Sequence, residues 1–568
     1  MSLFRTASRP MLMGISFAVV FAAGVGVLSS CAEPGGVGWS ASGGGARSAG
    51  ASDPLAIRGK EVFGKYCATC HGDTGDGAGE FAHLMNPRPR NLQEGKFRLA
   101  TTENQIPSDD DLLSTITSGM PGSSMPPWEF LPLADRQALV RYVRQLHIDG
   151  ARTALKSGVD EGAFDEDELP ELLAERTVPG PPLVVPPEPP FDDARWFRGR
   201  RIYMEACASC HGADGQPVSD AVKTDDNGFP LPPRSFVRGI FKGGSEGAQL
   251  HARIVKGMTG TPMPGYEESY SGDDAWDLIH YVQSLARAGA QERARLRQET
   301  ITVAKVRGSL PAEPGDGAWD QASPVYLALT PLWWAEDRIE GLMVRALHDG
   351  QDLALRLDWI DPTANERAVG TGEFSDAVAV QFSLTPDPPF YMGGADEHGS
   401  VSLWYWRADR QKNLTASHQD VDVAFPDRAI DRYAEQKIKP ADVPTGEWPR
   451  GSVTAHDPEF ITAWGAGNLV ADPGLKTSTE SLVARGLGTV SGRPVADQSV
   501  QGRAAYEQGA WSVQLRRSLK GSPGSGGDPE RTFQSGDSLP VAFAVWDGST
   551  GDRGGKKNIS IWQTLVIK

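Results

Sequence analysis

A fifteen-residue pattern occurs twice, and this repeat constrains the chain more than any other feature. Residues 57–71 read IRGKEVFGKYCATCH and residues 197–211 read FRGRRIYMEACASCH. The match continues downstream, where Gly119-Met120-Pro-Gly-Ser-Ser-Met125-Pro126 parallels Gly257-Met258-Thr-Gly-Thr-Pro-Met263-Pro264. The interval from histidine to the later methionine is 54 residues in one copy and 52 in the other. Each copy closes on an amphipathic segment, Asp135–His147 and Asp273–Ala286. Leu139, Tyr142, Val143 and Leu146 in the first, and Ile279, Tyr281, Val282 and Leu285 in the second, recur at helical spacing. Two copies of one small helical domain are expected, over 55–148 and 194–287.

The chain has five cysteines, Cys31, Cys67, Cys70, Cys207 and Cys210, an odd and sparse set that does not make a disulfide framework. Cys-x-x-Cys-His is the signature of covalent haem attachment. Two thiols one helical turn apart add to the two vinyl groups, and the adjacent imidazole reaches the iron. A redox dithiol would not require the histidine or the distant Met-Pro, and a zinc site would need further ligands at regular spacing. Both copies resemble small class I cytochrome c domains. The resemblance makes His71 and His211 the proximal iron ligands. Met125 and Met263, each directly before proline, become the distal ligands in preference to Met120 and Met258. It also pairs Gly59 with Tyr142 and Gly199 with Tyr281, and gives Pro89 and Pro233 the carbonyls that orient the proximal histidines. Arg90 and Arg234, which follow those prolines, are candidates for haem propionates or plain solvated arginines.

The first thirty residues look like an address. Arg5 and Arg9 precede an apolar run from Met11 to Leu28, which at eighteen residues is borderline for a membrane span. The run ends Leu28-Ser29-Ser30-Cys31, similar to the lipobox of bacterial lipoproteins. That resemblance implies a leader over 1–30, a lipid on Cys31, a flexible Gly/Ser/Ala tether over 31–54 and a periplasmic location. Ala32 after the cysteine points to the outer membrane. With 56 basic against 73 acidic residues, the chain carries a net charge of −17, which argues against nucleic acid as a partner.

Residues 149–193 are acidic and then proline-rich, the composition of a semi-rigid linker that lets domains reorient. A charged helix is expected near Gln291–Glu299, within a short linker over 288–300. Beyond it the periodicity alternates: Leu353, Leu355, Leu357 and Trp359; Val378, Val380, Phe382 and Leu384; Val401, Leu403 and Tyr405; Trp511, Val513 and Leu515; Val541, Phe543 and Val545. This predicts an all-β sandwich over 301–568. Eleven of the fifteen tryptophans fall there, suited to an aromatic core or to a large flat ligand. The fold class is therefore multidomain: two small all-α cytochrome c domains plus a C-terminal all-β sandwich.

Several segments of the β region resemble the haem b-binding domain of ethylbenzene dehydrogenase γ subunits. They include Leu357-Asp-Trp-Ile-Asp361, Pro389-Phe-Tyr-Met-Gly393, Leu403-Trp-Tyr-Trp406, Phe543-Ala-Val-Trp-Asp-Gly548 and Lys557-Asn-Ile-Ser-Ile-Trp562. The resemblance places Met392 and Lys557 on either side of a non-covalent haem b iron, with Lys556 a neighbouring decoy. On residues alone, Met392 is a core filler and Lys557 a surface charge. The family implies a partner with molybdopterin and iron–sulfur subunits, and another redox carrier beyond. The resulting expectation is a non-enzymatic, membrane-anchored electron-transfer protein with two haems c and one haem b. Two other classes stand beside it: a haem enzyme with an open coordination site, such as a peroxidase or reductase, and a ligand-binding module fused to cytochrome c.

Overall fold

The computed structural model describes residues 53–568 apart from 219–221, 271, 336, 386–387, 389–392, 394–398, 417–418, 420–423, 428–476, 495–496, 523 and 525–529. Cys31, the leader, most of the tether and Met392 thus lie outside the described residues. Nine helices organise the N-terminal half of that range: α1 (Pro54–Tyr66), α2 (Ala68–His71), α3 (Asp109–Ser118), α4 (Leu133–Asp160), α5 (Leu169–Thr177), α6 (Asp193–Ala206), α7 (Ala208–His211), α8 (Gly247–Lys256) and α9 (Asp273–Ser284). The expected repeat is visible as α1–α4 against α6–α9. The second copy departs from all-helical architecture by a short antiparallel ladder joining 223–224 to 230–231.

Local chemistry sets where these helices begin. Asp53 accepts from Leu55 N at 3.0 Å, and Pro54 occupies the first helical turn, where its missing N–H leaves no bond unmade. Ser108 and Asp111 form a reciprocal capping box at α3. In each copy the first and last helices cross at a glycine. A Cβ on Gly59 would lie 2.1 Å from Ala138 O, and one on Gly199 would lie 1.9 Å from Asp277 O. Tyr142 meets Gly59 as expected, its Cβ 2.8 Å from that position. Tyr281, the residue expected against Gly199, packs on the rings of Tyr203 and Trp196, with centroids 5.1 and 5.2 Å apart. The second crossing is also clamped by fully buried Asp277, which accepts from Arg195 at 2.9 Å and Arg198 at 2.7 Å.

Two expectations about the linkers change. The helix expected over 135–147 continues to Asp160, because Ala151 and Leu155 extend its buried face. The acidic segment, expected as linker, folds into α5, which packs back on α4. The proline-rich stretch has no helix or strand of its own, but it is fastened at both ends. Leu183 N donates to Thr101 O (2.8 Å) and Glu103 N to Pro181 O (2.9 Å), on the first helical domain. Trp276 Nε1 donates to Pro186 O (3.0 Å) and His280 Nε2 lies 2.9 Å from Glu188, on the second. It is a strap along both domains rather than a spacer between them.

The charged helix expected near 291–299 is only Ala290–Ala294, and strand structure begins at Thr300. The β region is built on β1 (Thr300–Lys305), β2 (Gly341–His348), β3 (Asp352–Ile360), β4 (Ala377–Ser383), β5 (Val401–Arg407), β6 (Thr479–Ala484), β7 (Gln501–Glu507), β8 (Ala510–Ser518), β9 (Ser538–Trp546) and β10 (Gln563–Ile567). Their order is β6-β5-β4-β9-β10-β1-β2-β3-β8-β7. β1 is the seam of this path: its first four residues run parallel to β10 and its last two parallel to β2. The inward residues of both halves share one core. Val378, Val380, Phe382, Trp404 and Trp406 meet Leu355, Leu357, Trp359, Trp511, Val513 and Leu515, all at most 3% exposed. Trp406 and Trp511 touch edge to face at 5.1 Å. On the other strands these are the alternating residues expected from the sequence; on β5 the expected face is reversed, because Trp404 and Trp406 point into the core while Leu403 and Tyr405 are only half-buried and Tyr405 packs on the opposite face. Burying such side chains contributes roughly 1.5–3 kcal/mol each.

Candidate functional site: two cysteine–histidine clefts and a half-buried lysine

Each Cys-x-x-Cys-His motif sits at a helix junction. Cys67 ends α1 and begins the single turn α2, with His71 N bonded to Cys67 O at 2.9 Å. Cys207 does the same between α6 and α7. One turn therefore presents both thiols and the imidazole to the same cleft. The first cleft is lined by Cys67, Cys70, His71, Met120 and Met125; its volume is ≈ 1250 Å³, mouth included. The second, ≈ 1270 Å³, is lined by Cys207, Cys210, His211, Met258 and Met263. The walls are apolar: Leu112, Ile116, Trp128, Leu139 and Val143 in one, Phe241, Leu250, Ile254, Leu278 and Val282 in the other. Apolar clefts of this size suit a large planar cofactor.

The imidazoles are held from behind. His71 Nδ1 lies 3.0 Å from Arg90 O and His211 Nδ1 lies 3.0 Å from Arg234 O. The carbonyls thus belong to the arginines, one residue after the expected Pro89 and Pro233. Such a bond fixes the Nδ1–H tautomer and leaves Nε2 free for a metal. Burial lowers the pKa of both histidines, with the carbonyl bond partly opposing. None of the four thiols is in a disulfide. Burial pushes Cys67, Cys70 and Cys207 up to about 12. A redox dithiol or a zinc ligand needs the thiolate within reach, which this burial disfavours.

The methionine loops are superimposable in their bonding. Met120 N donates to Met125 O (3.0 Å) and Ser123 Oγ to Met120 O (2.7 Å). Met258 N donates to Met263 O (3.2 Å) and Thr261 Oγ1 to Met258 O (2.7 Å). Ser123 and Thr261, at equivalent positions, close the turn; this hydroxyl is a matched feature of the repeat that sequence reading missed. Both methionines of each pair line their cleft, so geometry brings the expected ligands to the site without separating them from Met120 and Met258.

In the β region, Lys557 lies over the Trp546 ring, its Nζ 5.0 Å from the centroid, and burial pulls its ammonium down to about 8. Lys556 instead serves Thr550 O and lies 3.8 Å from Asp552. Beside Trp546, the sheet face opposite the main core carries Ala377, Ala379, Ala544 and Tyr405. Three alanines where the inward positions hold Val378, Val380 and Phe543 leave a shallow apolar floor. A desolvated amine beside such a floor fits the donor set of a planar metal-bearing group. The small-residue alternation Ala377-Val378-Ala379-Val380 was the available sequence signal. Met392 cannot be placed relative to it, being outside the described residues.

The lysine and the first cleft are joined by backbone. Leu332 N donates to Lys557 O at 2.9 Å, and Ser124 Oγ donates to Leu332 O at 3.0 Å, one residue before Met125. Thr330 Oγ1 donates to Ser123 O at 3.0 Å, and Asn86 N to Leu332 O at 3.0 Å. Leu332 and Ile559 are buried in the first helical domain's own apolar cluster. The domains expected to reorient on linkers are thus packed together, with polar and apolar contacts.

The comparisons with known proteins divide the chain in the same way. Residues 54–143 match the family described as cytochrome C oxidase, cbb3-type, subunit III, and residues 197–286 the cytochrome c family. Residues 316–558 match the family described as ethylbenzene dehydrogenase. Among curated relatives is a Haloferax mediterranei protein named "Putative respiratory nitrate reductase heme subunit ORF7", 27% identical, covering 50% of this chain and 79% of that one. The dimethylsulfide dehydrogenase subunit gamma of Rhodovulum sulfidophilum is 23% identical over 46% of this chain and 79% of its own length. The chlorate reductase subunit gamma of Ideonella dechloratans is 23% identical over 49% and 89%. Among the described residues, no helix is long and apolar enough to cross a membrane.

Proposed function

We propose that this chain is the electron-transfer subunit of a periplasmic oxidoreductase, anchored to a membrane through a lipid on Cys31 and without substrate chemistry of its own. Two covalent haems c and one non-covalent haem b would supply one-electron chemistry at iron. Cys67, Cys70, Cys207 and Cys210 form the thioether links in this reading, and His71 and His211 are the proximal ligands. Met125 and Met263 complete the coordination, soft thioethers that favour ferrous iron and raise its potential. Met392 and Lys557 hold the third iron, Lys557 as the neutral amine that its desolvation favours. The two halves of the β sheet around one core are read as a sandwich.

The observation that carries this reading is the short bonded path from Lys557 through Leu332 to Ser124, beside Met125. It ties a prospective ligand of one site to the loop of the next, as a chain of carriers needs. The similarity to dehydrogenase and reductase gamma subunits supports a molybdopterin and iron–sulfur partner on the β side. A second redox carrier would then meet the helical half.

Pyridine haemochrome analysis of the purified full chain tests the stoichiometry, with two c to one b expected. Met392→Ala and Lys557→Ala should each alter the b spectrum, and an unchanged spectrum in both refutes the assigned ligands. Carbon monoxide should not bind the fully reduced protein; binding would mark an open iron and favour a haem enzyme. A chain that retains no non-covalent haem but binds glycan overturns the reading of the β half.

A further inference from the structure

Three carboxylates meet where the two halves of the β sheet share their core. Asp361 directly follows β3 in one half, while Asp376 directly precedes β4 and Asp547 directly follows β9 in the other. One oxygen from each lies within 4.8 Å of the other two. Asp361 and Asp376 are 0% exposed and Asp547 is 3% exposed. Among the described residues no ion pair reaches any of the three; Lys556, close by in the chain, lies 3.8 Å from Asp552 instead. Burial raises Asp361 to about 7 and Asp376 to about 6, as befits carboxylates without a counter-charge. Uncompensated buried charge is expensive, so the interior must supply either protons or a cation.

Hydrogen bonds account for most of these oxygens and leave one over. Asp376 accepts from Gly548 N (2.8 Å), Asn365 N (2.7 Å) and Trp511 Nε1 (3.0 Å). Asp547 Oδ1 accepts from Ser549 N (2.8 Å) and Ser549 Oγ (2.6 Å), and Asp361 Oδ1 from Thr363 N (3.1 Å). Asp361 Oδ2 is buried and accepts from nothing. The Trp359 indole is near enough to lower the Asp361 pKa, yet its own Nε1 is unbonded, so it does not fill that place. A second orphan acceptor lies one residue further out. Asn558, 2% exposed, donates from Nδ2 to Asp552 (3.3 Å), which accepts from Asp547 N (3.2 Å), while Asn558 Oδ1 has no partner. Buried acceptors without donors are an exception that a bound ion explains.

Oxygen-only ligands select a hard cation. Calcium binds oxygen at about 2.3–2.6 Å, so two oxygens on one calcium can lie up to about 5 Å apart. Magnesium binds at about 2.0–2.1 Å, which draws that limit in to about 4 Å, and it keeps several waters, for which a triad closed to solvent has little room. We propose that Asp361, Asp376 and Asp547 ligate one calcium ion, which pins the two halves of the β region to each other at this end of their core. The site goes beyond the electron-transfer reading and depends on no haem. It does adjoin the third candidate site: Ala377 and Trp546, on the apolar floor beside Lys557, are the immediate chain neighbours of Asp376 and Asp547.

The test uses the full chain at pH 8, purified without chelator. Elemental analysis should find calcium at one per chain. After chelation, calcium chloride at about 1 mM should raise the Tm, read by tryptophan fluorescence, by about 5–10 °C, as a ligand at roughly a hundred times its Kd does for a domain of this size. No rise in the wild type leaves the triad holding protons and refutes the proposal. Magnesium at the same concentration should do much less, and an equal rise overturns the assignment to calcium. Asp361→Asn and Asp547→Asn should each abolish the rise; a rise of wild-type size in both refutes the triad. Without calcium, Asp361→Asn should instead melt above the wild type, because one of three uncompensated charges is gone. If neither variant folds, terbium chloride added to the chelated wild type decides. Trp511, bonded to Asp376, should sensitise its luminescence, which saturates at one equivalent and is displaced by calcium. Luminescence that calcium does not displace, or none at all, overturns the site.

Discussion

Two glycines five residues apart on α1 should respond to the same substitution with opposite signs. Gly59 faces α4, and an alanine Cβ there would lie 2.1 Å from Ala138 O, 2.7 Å from Ala138 C and 2.8 Å from Tyr142 Cβ. Ordinary contact begins near 3.4 Å, and the obstacle is backbone, which no rotamer change can clear. The helices must part by more than an ångström, an overpacking cost of about 1–3 kcal/mol at least. The helix-propensity gain of alanine over glycine, about 1 kcal/mol, offsets only part of it. Gly64 is exposed, with nothing within 4 Å of its Cβ position, so Gly64→Ala keeps the gain of about 0.5–1 kcal/mol without the clash. Both variants share the propensity gain, so they should differ by the clash alone, about 1–3 kcal/mol or more. At roughly 4–8 °C per kcal/mol for a domain of this size, that is a separation in Tm of about 4 °C at the low end and above about 10 °C at the middle of the range. Thermal unfolding of the full chain, followed through the haem absorption, reads it. Because Cys67 ends α1, Gly59→Ala should also disturb the spectrum of the first haem c and leave the second unchanged. A Gly59→Ala protein that melts with or above wild type would falsify the helix contact.

Other expectations follow from buried charge. Glu530→Gln strips the carboxylate from Arg517, both fully buried and 3.4 Å apart, and should cost about 3–5 kcal/mol in chemical denaturation; a loss below 1 kcal/mol contradicts it. Asp361, Asp376 and Asp547 sit buried with ligating oxygens within 4.8 Å of one another. Burial first, then Asp376 and Asp547, raise Asp361 to about 7. Its folded pKa lies above the unfolded value, so its contribution to stability falls as pH rises from about 4 to 7 and is flat beyond. With calcium chelated, Asp361→Asn should therefore stabilise the protein by a few kcal/mol at pH 8 and little at pH 4; lower stability of the variant at pH 8 sinks this account. Ser124→Ala removes the donor to Leu332 O and should cost about 1 kcal/mol. It should also slow electron exchange between the b and first c haems, measured by rapid reduction; an unchanged rate argues against that route.

Much of this architecture was legible because it was written locally. The two motifs, the closing helices and most of the strand alternation each depend on residues within a few positions of one another, and they appear where expected; on β5, where apolar residues occupy both faces, the alternation pointed to Leu403 and Tyr405 and the core took Trp404 and Trp406. What escaped depended on distance. Nothing in sequence distinguishes Lys242 from other basic residues; only the docking of two domains buries it within reach of Arg90, Arg98, Arg234 and Arg253. The carbonyl behind each histidine shifted from proline to arginine because a one-residue change in register is invisible without the backbone path. The acidic linker looked solvated because α5 pairs with an extension of α4 that the amphipathic window did not reach. For the third site, the resemblance singled out Lys557 against Lys556, and the desolvated setting beside Trp546 agrees in chemistry, while Met392 stays an expectation.

The proline-rich strap has a consequence for how this chain can vary. A segment pinned at Thr101 and Glu103 on one side and at Trp276 and His280 on the other acts as a gauge with a fixed length. Insertions or deletions within 181–188 would pull one set of anchors out of register, whereas the tips of the loops around it can lengthen freely. The three folded parts are thus not interchangeable beads on a string. A tandem assembled by swapping in another copy of either helical domain would have to bring its own stretch of strap with it.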